Sequence, residues 1–162
     1  MFTRYAVPVL AVVLGACASY DGRGLQPGTA TETDVRQLMG APAAEFTNPD
    51  GSRQLAYPRG PGGVATYMVH VRSDGRLARI EQVLNEAHYA GIVTGKTTRD
   101  EVRRLLGPPS HVMEFPRMQR VAWTYRFRDA WGYDADFSAV LDTNGVVVEK
   151  VIVRVESAVD AR

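Results

Sequence analysis

The side chains able to do chemistry in this 162-residue chain are few and far apart. His70, His88 and His111 are the only histidines, and they form no metal-ligand spacing. No Gly-x-Ser-x-Gly elbow presents a serine nucleophile, and no phosphate-binding glycine loop is present. Carboxylates are scattered along the chain rather than grouped. The residue inventory therefore predicts a non-catalytic protein with no catalytic residue and no metal. That leaves Cys17, the only thiol, whose chemistry depends on what precedes it.

Residues 1–16 carry one cation, Arg4, followed by an apolar run from Tyr5 to Ala16. The run is too short for a bilayer core of about 30 Å, which needs about 20 apolar residues. A basic start, a short apolar core and small residues at the end describe a secretory signal peptide. Leu14-Gly15-Ala16-Cys17 resembles the bacterial lipoprotein box, in which the cysteine is acylated and becomes the first residue of the mature chain. The alternative is an ordinary cleaved signal beside an incidental cysteine. Diacylglycerol and palmitate on Cys17 are expected, because two or more acyl chains anchor stably where one is marginal. No other cofactor is expected. Ala18 in place of Asp after the acylated cysteine favours sorting to the outer membrane, facing the periplasm. Removing residues 1–16 takes away only Arg4, leaving 18 basic against 18 acidic side chains. Near-zero charge without basic runs argues against nucleic acid. With no second cysteine to pair, burial must hold the fold.

The elements that would position any site begin with a doubled stretch. Residues 28–42 read GTATETDVRQLMGAP and residues 95–109 read GKTTRDEVRRLLGPP. They share Gly28/Gly95, Thr31/Thr98, Val35/Val102, Arg36/Arg103, Leu38/Leu105, Gly40/Gly107 and Pro42/Pro109. Thr98 with Glu101 forms a capping-box pattern, and Thr31 with Asp34 repeats it using a shorter acid. Behind each cap an i, i+3, i+4 apolar stripe marks a short helix, ended by glycine and then proline. Strands follow. Val121, Trp123, Tyr125 and Phe127 alternate with polar or small residues, which predicts a half-buried strand. Phe137–Leu141 and Val146–Val155 flank the Asn144-Gly145 hairpin signal. Gln54–Tyr57, Ala65–Arg72 and Arg76–Leu84 are a weaker copy, and Leu84–Ala90 suits a short extra helix. The expected fold class is α+β, with two tandem repeats of helix and three-stranded antiparallel meander sharing one core. Its boundaries are a signal peptide over 1–16, an acylated cysteine and flexible tether over 17–27, repeats over 28–84 and 85–157, and a tail over 158–162.

Gly-x-x-Thr-x-x-x-Val-x-x-x-Leu-Gly-x-Pro followed by a Trp-x-Tyr strand resembles the SmpA/OmlA family of outer-membrane lipoproteins, the BamE-like proteins. Gly95, Thr98, Val102, Leu106, Gly107, Pro109, Trp123, Tyr125, Phe127 and Arg128 carry the match, which spans roughly residues 82–155. The first repeat has Leu55 where Trp123 stands. The tandem arrangement also resembles the fold of β-lactamase-inhibitor protein. The resemblance implies a membrane-anchored binding module that supports outer-membrane protein assembly or envelope integrity. Its implied partners are envelope proteins such as the β-barrel assembly machinery, and anionic phospholipid. The second resemblance implies a periplasmic inhibitor or sensor that binds a partner enzyme.

Within that frame Gly28, Thr31, Gly40, Pro42, Gly95, Thr98, Gly107, Pro109, Trp123 and Tyr125 are structural. Arg36 and Arg103 are shared yet lie outside the apolar stripe. They either pair with strand carboxylates or present a matched pair of anion contacts. Arg128 closes a segment that the resemblance links to lipid and partner contact. Trp131 and Tyr133 stand among turn residues, where they either form an exposed hot spot or fold back over the sheet edge. The candidate contact residues are therefore Arg103, Arg128, Trp131 and Tyr133.

Overall fold

The computed structural model describes residues 21–59 and 63–155, so Cys17 and the expected signal peptide lie outside the described residues. Among the described residues the fold is α+β with two four-stranded antiparallel sheets and three short α-helices. In the first half, α1 (Glu32–Met39) is followed by β1 (Ala44–Thr47), β2 (Arg53–Pro58), β3 (Thr66–Val71) and β4 (Leu77–Gln82). A one-turn helix, α2 (Glu86–Ala90), then leads into α3 (Arg99–Leu106). After it come β5 (His111–Phe115), β6 (Arg120–Arg128), β7 (Asp134–Leu141) and β8 (Val147–Arg154). Each sheet is a plain meander, in strand order β1-β2-β3-β4 and β5-β6-β7-β8. The sequence predicts three strands per half. The fourth in each, β1 and β5, is a short edge strand: β1 alternates over only four residues, and β5, exposed throughout, has no alternation.

Several contacts recur in both halves. Thr31 and Thr98 cap α1 and α3, and both capping boxes close; Thr31 N–H donates to Asp34 at 2.7 Å, so the shorter acid suffices. The Gly28 N–H donates to the Leu77 carbonyl at 2.8 Å, and the Gly95 N–H to the Val147 carbonyl at 2.7 Å. These bonds tie each helix entry to its sheet's last strand. Tyr57 donates its hydroxyl to the carbonyl of Gly40, and Tyr125 donates to that of Gly107, each at 3.2 Å. The registers break at the same place, between His70 and Val71 and between Val140 and Leu141. Leu55 faces Val69 as Trp123 faces Ala139, so Leu55 holds the place of the tryptophan.

The buried residues form two clusters rather than the single shared core expected from sequence. Val35 and Met39 of α1 pack on Leu55, Tyr57, Val69, Val71 and Leu77. The other face of the same sheet contributes Ala44, Ala56 and Met68 to the second cluster. There they meet Val102 and Leu106 of α3, which also face Tyr125, Phe127, Phe137, Ala139 and Leu141. The layers therefore run α1, first sheet, α3, second sheet. Gly107 lets α3 lie this close. It has φ +80°, and a Cβ there would sit 3.1 Å from Thr66 Cγ2 and 3.2 Å from Ala56 Cβ. Tyr89 of α2 stacks on Phe137 with ring centroids 4.0 Å apart. Residues 21–27, expected as loose tether, are laid against the first sheet where described: Leu25 packs on the first cluster and Gly22 is buried beside Ile80.

Candidate functional site

Arg128, Trp131 and Tyr133 come together at the β6–β7 turn. Asp129 organises it. Its Oδ1 accepts from the backbone N–H of Trp131 and of Tyr133, both at 2.9 Å, and its Oδ2 accepts from Arg154 Nε at 2.7 Å. Burial works against ionisation of Asp129, but these bonds, with the Tyr133 N–H foremost, outweigh it and hold the carboxyl below the usual range. Gly132 turns the chain at φ +85°, and the Arg154 guanidinium lies 5.0 Å from the Tyr133 ring centroid. The aromatics do not fold back over the sheet edge. Trp131 is 80% exposed and Tyr133 60%. Arg128 stands beside them, 3.4 Å from Asp134 and well exposed, while Arg126 forms the tighter two-pronged pair with Asp136 at 2.8 and 2.9 Å.

Arg103 is not part of this group. It sits on α3, where its charge acts on the buried Tyr125 hydroxyl rather than on the turn. Its counterpart Arg36 does pair with carboxylates: Glu32 at 2.8 Å and the strand residue Glu45 at 2.9 Å, with Arg53 joining the same two acids. Of the two readings of the shared arginines, Arg36 follows the ion-pair one. Arg103 makes no ion pair or side-chain hydrogen bond among the described residues. Trp123 is partly buried against the core with the Arg99 guanidinium 5.9 Å above its ring, and Tyr125 is fully inside.

A third constellation was not visible in sequence. His70 on β3, Glu81 on β4 and His88 on α2 meet in a cleft of about 520 Å³ between the first sheet and α3. His70 Nε2 is 2.7 Å from Glu81 Oε1, and His88 Nε2 is 4.0 Å from Glu81 Oε2. Burial and the Arg79 charge hold the His70 imidazole below its usual value, against the pull of Glu81. Burial opposes ionisation of Glu81, yet hydrogen bonds from Arg79 and His70 keep its carboxyl below the usual range. Glu81 is thus ionised, and the proton between the pair rests on His70 Nε2. Arg104 closes the far side, bonded to Asn48 Oδ1 at 3.3 Å and 5.2 Å from the Phe46 ring centroid. No group of three His, Cys, Asp or Glu side chains among the described residues is placed to hold a metal ion. The only sequence hint was that His70 falls on the same strand face as Met68. Among the described residues no helix is long and apolar enough to cross a membrane.

No known protein family matches the sequence, and no curated protein matches it. Among solved structures, the crystal structure of a DUF4309 family protein (YjgB) from Bacillus subtilis subsp. subtilis str. 168 is similar at 18% identity, covering 85% of this chain and 90% of that one, with a TM-score of 0.32.

Proposed function

We propose that the chain is a non-catalytic, lipid-anchored binding module of the bacterial outer membrane. On this reading it is BamE-like, duplicated in tandem, and engages envelope proteins from the periplasmic side. The observation that carries a binding role is the Asp129–Tyr133 turn. A large aromatic side chain left 80% exposed is expensive to leave bare unless something covers it, and here its backbone is already pinned in one geometry. A preorganised Trp and Tyr with a neighbouring arginine is the composition of an interface hot spot. The anchor rests on Cys17 and the sequence before it.

A photo-crosslinker at Trp131 in the lipidated protein tests this: capture of an envelope protein is expected, and recovery of free monomer alone would reject it. Cys17→Ser should abolish palmitate labelling and release the protein from membranes; unchanged labelling would reject the anchor. The inhibitor reading, which needs exposed aromatics on the strands of both halves, has less to rest on. Tyr57 is buried under α1, and Tyr67 packs against the same cluster.

A further inference from the structure

Edge strands expose unpaired backbone N–H and C=O groups and are normally guarded by charge or cover. The two halves allow a comparison at matched positions, because β1 and β5 are the same edge strand in each. In the first half Glu45 stands on the helix side of β1 and is tied to Arg36 and Arg53. On the opposite side Phe46 lies under the Arg104 guanidinium. In the second half Val112 takes the place of Glu45 and Met113 that of Phe46. They are 47% and 48% exposed, and all five residues of β5 are open to solvent. Glu114 is the one carboxylate on this edge, and among the described residues it makes no ion pair.

The charges beside it have changed in the same direction. The first half balances Arg36 and Arg53 with Glu32 and Glu45. At the matching positions the second half has Arg103 and Val121, with Arg99 and Val112 in place of the two acids. Two arginines remain with no carboxylate in the inherited places. Arg99 leans on Trp123, and Arg103 makes no ion pair among the described residues. The nearby acids do not substitute: Glu101 is committed to the α3 cap at Thr98, and Asp100 and Glu114 make no ion pair with either arginine.

We propose that β5 and the adjoining flank of α3 are a docking edge for an extended, acidic segment of a partner polypeptide. Such a segment would add as a fifth strand about 4.8 Å beyond β5, with its alternate side chains on the α3 side. Main-chain hydrogen bonds to β5 would hold it, and its carboxylates would meet Arg103 and Arg99 as Glu45 and Glu32 meet Arg36. Pro116 ends β5, which limits the docking edge to His111–Phe115. This edge lies at the opposite end of β6 from the Trp131 turn, so the inference stands apart from the proposed function.

The test uses the full chain in detergent and a short fluorescent peptide alternating valine and glutamate. Saturable binding is expected, with slowed amide exchange confined to 111–115 and weakening as salt rises. Arg103→Gln should weaken it at least tenfold. Val112→Glu, which restores the guard of the first half, should abolish binding while the protein keeps its thermal midpoint. Trp131→Ala should leave it unchanged. A glutamine-for-glutamate peptide that binds equally well would overturn the proposal. So would absence of binding, protection away from β5, or concentration-dependent self-pairing of β5 that the peptide does not displace.

Discussion

Asp129 holds the exposed turn through both carboxylate oxygens, so the geometry of Trp131 and Tyr133 depends on one side chain staying ionised. Asp129→Ala should reduce partner capture from Trp131 severalfold while leaving the thermal midpoint nearly unchanged, because the turn lies outside both buried clusters. Equal capture by the variant would show that the turn needs no such support. The two helix-closing glycines offer a sharper contrast. Gly40 and Gly107 share a backbone conformation near φ +80°, where a side chain costs about 1–3 kcal/mol. Only Gly107 also meets the first sheet. Gly107→Ala should therefore lower stability more than Gly40→Ala in urea unfolding. Both glycines were legible as helix stops from spacing alone, whereas the closeness of Gly107 to Thr66 was not, since those residues belong to different halves. The fates of Arg36 and Arg103 were equally hidden, because each depends on what the edge strand places opposite.

β3, β4 and α2 build the His70–Glu81–His88 cluster, and its titration is a property of their packing. The pKa of His70 is lowered on folding from an ordinary 6.5 by burial and by Arg79. The unfolded chain therefore binds this proton more readily. Stability from this group is complete above 6.5 and falls as pH drops from there through the folded value. Urea midpoints between neutral pH and pH 5 should fall for the parent protein and fall less for His70→Gln. An identical slope in both would remove His70 as the source. Strands with one buried face were readable because alternation of apolar and polar residues records that burial, as in Val121–Phe127. β1 and β5 were not readable for different reasons: Ala44–Thr47 alternates over only four residues, too few to register as a strand, and His111–Phe115 lies open to water on both faces and carries no such pattern.

The molecule is a stack in which α3 belongs to both halves, with Val102 and Leu106 in the same cluster as Ala56 and Met68. Losing that helix would bare the inner face of the first sheet as well as the second. Leu106 is fully buried, so Leu106→Ala should cost about 2–5 kcal/mol. The loss should appear together in Trp123 fluorescence and in amide exchange of β2 and β3. Two separated transitions, with only the second half weakened, would mean that the halves are independent.

The sequence by itself determined the two cap–helix–stop units, the principal strands, the α+β class and the expectation of an acylated Cys17. Caps, helix stops and strand alternation act over a few residues and are written where they act. Only the tertiary structure decided that α3 lies between the sheets, that three histidine and glutamate side chains from separate elements converge, and that one edge strand is guarded while its counterpart is open. Each of those depends on which residues distant in the chain are brought into contact, and packing sets that contact without leaving a local period behind.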